Sequence, residues 1–162
     1  MTGTANRRRP EKKRLVWGVG GALFCALVGW GAVALWAEKP EASFGGVSLK
    51  LEYATTSAAQ ERGLSGRSQV PSGYGMLFVF DHDDRYVFWM KDMLVPIDIF
   101  WLDDKGQLIF TTAELATSTF PNVFYPPVPV RYVLETESGF ARQHHIATGT
   151  PLLLKSFPTV LK

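Results

Sequence analysis

An acidic residue interrupts a very apolar predicted strand, residues 97–102, with the sequence Ile-Asp-Ile-Phe-Trp-Leu. Successive side chains of a strand point to opposite faces, so Asp98 shares a face with Phe100 and Leu102. An unpaired charge on a buried apolar face costs several kcal/mol. Asp98 therefore either has a structural partner, which can be a basic side chain or backbone donors, or it belongs to a ligand or catalytic site. The basic residues considered as partners are Arg62, Lys91 and Arg131.

Glu135 raises the same question in a second predicted strand, residues 130–136. Alternation puts Glu135 on the same face as Val133 and Arg131. Because Arg131 lies two positions away on that face, a structural ion pair between the two residues is the alternative to a role for Glu135 in a site. The sequence leaves both readings open.

Four residues that differ in chemistry stand together at positions 89–92, at the end of another predicted strand. Strand alternation puts Trp89 with Lys91 on one face and Met90 with Asp92 on the other. Trp89 either packs in the core or provides a stacking surface for a ligand. Polar groups at a strand end and charges within apolar strands together favour a binding site.

The first functional hypothesis is that the charges converge around a shallow pocket that binds a small polar ligand or a peptide segment, with two aromatic side chains at its rim. The candidate binding residues are Arg62, Trp89, Lys91, Asp92, Asp98, Arg131, Tyr132 and Glu135.

Two other functional hypotheses stay open. In one, the domain is a cell-envelope hydrolase that uses Asp98 and Glu135 as an acid/base pair, as glycosidases use two carboxyl groups. No nucleophile elbow or Cys/His pair accompanies that pair in the sequence. In the other, the proline-rich segment 120–129 contacts an envelope protein, although such a segment also commonly covers a sheet edge.

No metal, cofactor or nucleic acid is expected as a partner. The acidic run at residues 81–84 lacks the spacing of a calcium loop, and the adjacent His144 and His145 point apart. The single cysteine, Cys25, lies in an apolar stretch, and no glycine-rich phosphate loop is present outside it. Of the 17 basic residues, six precede residue 15, so residues 38–162 carry 11 basic and 14 acidic side chains, a net charge of −3. That balance argues against phosphate-backbone binding.

The N-terminal region is predicted to be a membrane anchor. Residues 15–37 contain no charged side chain, and a helix of that length spans a hydrocarbon core of roughly 30 Å. Residues 1–14 form a basic tail, which should stay in the cytoplasm. The chain that follows the anchor should then lie on the outer side of the membrane, in the periplasm or the extracellular medium. A cleaved signal peptide is the alternative, but its apolar region is usually about 7 to 15 residues long.

The rest of the chain reads as a linker, residues 38–45, and one domain, residues 46–162. A short helix is predicted over residues 57–62 from its capping-box spacing, with Gly63 as its stop. Acidic residues 81–84 are predicted to form a turn between two core strands, and the prolines of residues 120–129 predict an extended loop. One or two helical turns are expected within residues 139–146. The predicted strands cover residues 47–53, 76–80, 86–90, 97–102, 107–112, 130–136 and 151–157.

Five motifs stand in an order that resembles the DUF192 family of uncharacterised bacterial and archaeal proteins, over roughly residues 46–155. They are Glu-Arg-Gly-Leu at 61–64, Gly-Met-Leu-Phe-Val-Phe at 75–80, Phe-Trp-Met-Lys-Asp at 88–92, Val-Pro-Ile-Asp-Ile-Phe at 95–100 and Arg-Tyr-Val-Leu-Glu at 131–135. The resemblance implies a compact β-rich domain, often exported, and it implies no reaction. Asp92 stands where the family tends to have Asn, which would add a charge to any ligand site there.

Together these observations predict a mostly β (α+β) fold: a small curved, barrel-like sheet with one or two short helices, following an N-terminal transmembrane helix. The expected function is that of a membrane-anchored extracytoplasmic domain that binds a ligand or partner.

Overall fold

A computed structural model describes residues 42–158 of the chain. The elements in this part are β1 (Ala42–Phe44), β2 (Val47–Ala54), α1 (Ser57–Arg62), β3 (Tyr74–Asp84), β4 (Phe88–Trp89), β5 (Ile97–Leu102), β6 (Leu108–Leu115), a 3₁₀ turn (Thr117–Thr119), β7 (Val123–Phe124), β8 (Val130–Glu137), α2 (Phe140–Gln143) and β9 (Leu152–Leu154).

Seven strands form one sheet in the order β6-β5-β8-β3-β2-β1-β9, in which β2 and β3 are parallel and the other neighbours antiparallel. Backbone hydrogen bonds also join the two edge strands near their first residues. Leu108 N–H donates to the carbonyl of Thr150 at 3.0 Å, and Leu152 N–H donates to that of Gly106 at 2.9 Å. These bonds hold the sheet in a curl, so the predicted curved, mostly β fold with two short helices is confirmed as a half-barrel.

Two apolar cores lie on the two faces of this sheet. An inner cluster draws on all seven strands and includes Phe44, Phe100 and, from α2, Phe140. An outer cluster includes Phe78 and Trp101 and is covered by α1, by β4 and by the segments next to them. Because both faces are covered, all six residues of β5 are buried. The predicted alternation is confirmed, since Phe100 belongs to the inner cluster and Trp101 to the outer one.

Asp98 is fully buried and is satisfied by the backbone. Its Oδ1 accepts hydrogen bonds from Glu114 N–H at 2.7 Å and Gly139 N–H at 3.0 Å, and its Oδ2 accepts one from Ala141 N–H at 2.8 Å. Gly139 is the N-cap of α2 and provides no side-chain cap, so the Asp98 carboxylate takes that place. The same carboxylate holds Glu114, whose φ of 51° marks a bend in β6. Asp98 thus ties β5, β6 and α2 together.

The structure changes three local predictions. The acidic residues 81–84 do not form a turn, because β3 continues through Asp84 and pairs there with Val130 of β8. The predicted strand 86–90 is reduced to β4, which pairs with β7 inside the proline-rich segment and not with β3. Ala42–Phe44, assigned to the linker, form β1 because Gly45 and Gly46 supply a tight turn into β2, both with positive φ.

The helix prediction for residues 57–62 is confirmed, with its cap one residue earlier than the capping-box spacing indicates. Thr56 is the N-cap, and its side chain accepts a hydrogen bond from Ala59 N–H. Gly63 follows as the C-cap with a φ of 50°. The basic tail and the predicted anchor, residues 15–37, lie outside the described residues. Within residues 42–158, no helix has the length and apolar character needed to cross a membrane.

Replacing Asp98 with Ala is expected to destabilise the domain by about 3 kcal/mol or more, because three backbone N–H groups lose their acceptor. Asp98→Asn, which keeps one acceptor oxygen, should fall between Ala and wild type. Chemical unfolding of the full chain in detergent, followed by circular dichroism, measures the change. The control is Asp104→Ala in the exposed turn before β6, expected within about 0.5 kcal/mol of wild type. Equal stability of Asp98→Ala and Asp104→Ala would contradict the role given to Asp98.

Candidate functional site

A pocket of about 280 Å³ opens on the outer face of the sheet, between the end of α1 and β4. Its volume is near the lower end of the range for small-molecule sites, about 300 to 1,000 Å³. One wall is formed by the end of α1 and the turn after it, with Gln60, Glu61, Arg62, Gly63, Leu64 and Ser65. The remaining lining is mostly apolar and consists of Phe78, Phe80, Tyr86, Val87, Phe88, Trp89, Met93 and Glu135.

The buried acidic residue of this lining, Glu135, projects from β8. Its neighbours across the sheet are Met76 of β3 and Ile99 of β5, so neither adjacent strand offers a polar partner. Only 5% of the residue is exposed, and its Oε2 is buried without a hydrogen-bond partner among the described residues. A buried acceptor in this condition forgoes a hydrogen bond, at a cost of about 1 to 3 kcal/mol.

Gly63 brings the chain close over this carboxyl group. A Cβ atom at position 63 would lie 3.6 Å from Oε2 of Glu135 and 3.3 Å from Cζ of Phe78. The φ of Gly63 is also positive, a conformation that L residues with side chains rarely adopt. The positive φ favours glycine at the point where α1 ends, and the two distances place the turn after α1 against the pocket.

Burial raises the pKa of Glu135 from its ordinary value of 4.5 to about 8. The positive charge of Arg67 lowers this pKa in part. Arg67 is not available as a direct partner, because its Nη2 donates to both carboxylate oxygens of Glu52 at 2.9 Å. Its Nη1 donates to the Tyr74 hydroxyl at 2.8 Å. Glu135 is therefore protonated over much of the pH range near neutrality and still able to ionise.

The aromatic side chains come from β3, β4 and the segment between them. Phe78 and Phe88 meet edge to face with ring centroids 4.8 Å apart, and Phe80 and Tyr86 are stacked. The Tyr86 hydroxyl is engaged outside the pocket, donating to the carbonyl of His82 at 2.7 Å. Trp89 is 44% exposed and stands at the opening.

A more polar groove of about 300 Å³ adjoins the pocket and shares part of its rim. Two hydrogen bonds at the groove link the turn after α1 to the segment that follows β4. Ser65 Oγ donates to the carbonyl of Lys91 at 2.9 Å, and Gly66 N–H donates to the carbonyl of Asp92 at 2.8 Å. Its lining residues are Ala58, Glu61, Arg62, Ser65, Trp89, Lys91 and Asp92.

The structure brings together five of the eight residues predicted to form the site. Arg62, Trp89 and Glu135 line the pocket, while Lys91 and Asp92 line the adjoining groove with Arg62 and Trp89.

The other three candidate residues lie elsewhere. Asp98 is enclosed on the inner face, and Tyr132 belongs to the inner cluster, where it stacks on Phe157 with ring centroids 4.6 Å apart. Arg131 pairs with Asp83 through Nε at 2.6 Å, so it does not neutralise Glu135.

The hypothesis of an acid/base pair is wrong for geometric reasons. Asp98 is opposite Thr136, and Glu135 is opposite Ile99, so the two carboxyl groups project from opposite faces of the sheet. Two groups separated by the sheet cannot flank one glycosidic bond. Among the described residues, no group of three or more His, Cys, Asp or Glu side chains could hold a metal ion.

Sequence reasoning missed the aromatic part of the pocket, namely Phe78, Phe80, Tyr86 and Phe88. These residues sit in apolar runs that read as ordinary core. The one signal in the sequence was Gly63 after the helix, which was interpreted only as a helix stop.

A family model matches residues 41–154, and that family is DUF192, described as uncharacterized ACR. The chain belongs to the DUF192 family. The match confirms the family that the ordered motifs indicated. The molecular function of this family is not established. None of the curated proteins matches this chain.

Two crystal structures share the fold of this DUF192 protein. One, from Sinorhizobium meliloti 1021, is described as a "putative transcription regulator"; it is 27% identical with a TM-score of 0.63, and the alignment covers 65% of this chain and 81% of that chain. The other, a protein of unknown function from Novosphingobium aromaticivorans DSM 12444, is 27% identical with a TM-score of 0.60, covering 65% and 74%.

Replacing Glu135 with Gln is expected to remove a pH-dependent loss of stability. Between pH 4.5 and about 8 the carboxyl group ionises in the unfolded state but stays protonated in the folded one, so the wild-type protein loses stability as pH rises. The free energy of unfolding of Glu135→Gln relative to wild type should therefore increase between pH 5 and 9, by on the order of 4 kcal/mol. Chemical unfolding at both pH values measures it.

The matched control is Glu61→Gln, at an exposed residue of the same pocket. Its unfolding free energy should follow the wild-type pH dependence. If Glu135→Gln also followed the wild-type curve, Glu135 would not be a buried, protonated carboxyl group.

Proposed function

We propose that this DUF192 domain is a binding module that holds a small organic ligand in the pocket between α1 and β4. The observation that carries the proposal is the unpartnered Oε2 of Glu135 at an open pocket that five aromatic residues help to line. An apolar cavity with one or a few polar groups is the usual composition of a small-molecule site.

The contrast with Asp98 supports a binding role for Glu135. Both residues are buried on central strands of the same sheet, yet Asp98 receives three backbone hydrogen bonds. The fold can therefore satisfy a buried carboxylate where one serves structure. The carboxyl group of Glu135 lies unsatisfied beside an open cavity, and a ligand in that cavity can supply the missing hydrogen-bond donor.

The geometry favours binding over catalysis. Hydrolysis by a carboxyl pair needs a second acid facing the same bond. The other acidic residue of the pocket, Glu61, is exposed on α1, and Asp98 is on the opposite face of the sheet.

The place of this module is proposed to be the outer side of the cytoplasmic membrane. The uncharged stretch 15–37, preceded by six basic residues, supports a single-pass anchor with the N-terminus inside. Because β1 begins at Ala42, only a few residues would separate the anchor from the domain. A ligand would reach the pocket from the periplasm or the extracellular medium.

The binding proposal predicts that small aromatic and aliphatic fragments bind to the full chain in lipid nanodiscs, as detected by saturation-transfer NMR. Trp89→Ala is expected to weaken their binding about tenfold, since it removes a large wall of the pocket. The matched control is Phe110→Ala on β6, an aromatic residue of similar exposure, 42% against 44%, which lines none of the pockets described above. Failure of every fragment to bind, or equal loss in both variants, would overturn the proposal.

The anchor proposal predicts the topology of the full chain. A reporter that is active only outside the cytoplasm, alkaline phosphatase, fused after residue 162 should be active, whereas green fluorescent protein in the same place should be dark. Reversing the charge of the basic residues 7–9 should reduce the alkaline phosphatase activity. A fluorescent C-terminal fusion in the wild-type chain would place the domain in the cytoplasm and contradict the prediction.

A further inference from the structure

We infer that the ligand of the pocket is an organic ammonium ion, a small apolar body that carries a protonated amine, bound with the amine on Glu135. This inference rests on the proposed function and adds the chemical class of the ligand. It follows from three features of the pocket: an acceptor without a donor, aromatic walls, and a charge balance that leaves the acceptor without a cation.

The first feature is the acceptor. Oε2 of Glu135 lacks a hydrogen-bond partner, and its neighbours across the sheet, Met76 and Ile99, have no N–H or O–H in their side chains. A Cβ atom at position 63 would lie 3.6 Å from Oε2, so glycine keeps a side chain out of the space next to this oxygen. An ammonium group provides three donors and a full positive charge to such an acceptor.

The second feature is the wall of the pocket. Five aromatic residues line it, including a tryptophan, which is the best cation–π partner. The faces of aromatic rings carry negative potential and attract ammonium groups within about 6 Å. An anionic ligand would meet the negative potential of these ring faces, so the aromatic part of the lining disfavours anions.

The third feature is the set of charges near Glu135. From the loop after α1, Arg67 acts on the carboxyl group through space but is held by Glu52 and Tyr74. From α1, Glu61 and Arg62 are exposed neighbours with opposite charges. From the segment after β3, the Tyr86 hydroxyl donates away from the pocket. Thus no described residue forms an ion pair with Glu135, and a cationic partner for its carboxylate would have to come from a ligand.

Binding of a cation must be linked to the ionisation of Glu135. The pKa of the empty site is about 8, so roughly 1% of the carboxyl groups are ionised at pH 6 and half at pH 8. If the ionised form binds the amine, affinity should rise roughly 50-fold between these pH values. Each binding event near pH 6.5 should also release about one proton.

The experiment is isothermal titration calorimetry with the full chain in nanodiscs, using three probes of similar shape. They are 2-phenylethylamine, which is a cation throughout this pH range, the neutral 2-phenylethanol and the anion phenylacetate. We expect the amine to bind tightest, with the stated rise in affinity from pH 6 to pH 8 and proton release in buffers that differ in ionisation enthalpy. Binding of 2-phenylethanol should be weaker and independent of pH.

Two variants separate the amine contact from the shape of the pocket. Glu135→Gln should abolish the pH dependence and the preference for the amine, while 2-phenylethanol still binds. Trp89→Leu, which keeps an apolar wall without a π face, should weaken the amine more than the alcohol. An N-acetylated tripeptide that contains lysine distinguishes the source of the ammonium: tighter binding than 2-phenylethylamine assigns it to a polypeptide, and weaker binding to a free amine.

The possible failures are distinguishable. If the alcohol or the anion binds at least as tightly as the amine, or if affinity for the amine does not rise with pH, the cation inference is overturned and the binding function stands. If none of the probes binds, and the fragment screen is also empty, the proposed function itself fails.

Discussion

The constraint on which the rest of the structure depends is the burial of β5 and β8 on both faces. These two strands lie side by side in the curled sheet, with an apolar cluster against each face. A polar side chain in the middle of either strand, such as Asp98, Glu135 or Thr136, is buried whichever face it takes. It must therefore accept hydrogen bonds from the protein, remain neutral, or accept them from a ligand.

Two of the three acidic residues of these strands, Asp98 and Glu135, resolve this constraint in different ways. Asp98 lies on the inner face, where three backbone N–H groups from β6 and from the start of α2 converge on it. Glu135 lies on the outer face among side chains of Met76 and Ile99, and it responds with a raised pKa. The Asp98 carboxylate organises the fold. The Glu135 carboxyl group lies next to an opening, and its Oε2 has no hydrogen-bond partner among the described residues.

The pocket is open because the secondary-structure elements that cover the outer face of the sheet are short. The helix α1 has six residues, β4 and β7 have two each, and the contacts between the turn after α1 and the end of β4 involve Ser65 and Gly66. Such short elements cover the outer cluster incompletely. The gap that they leave is the pocket lined by Glu135 and by aromatic residues of β3 and β4, whereas the inner cluster is filled from all seven strands.

The sequence by itself determined the central strands, such as β5 and β8, with their faces, the helix before Gly63, and the family. These features depend on local rules: alternation along strands such as β5, capping of α1, and ordered motifs within one stretch of chain. It also identified Asp98 and Glu135 as the acids that need an explanation. Only the tertiary structure decided which acid was satisfied, because the donors to Asp98 come from residues 16 to 43 positions away. It likewise paired Arg131 with Asp83, 48 positions away. It also placed residues 60–65, the aromatic residues of 78–89 and Glu135 around one pocket, since residues distant in sequence become neighbours only through the tertiary fold.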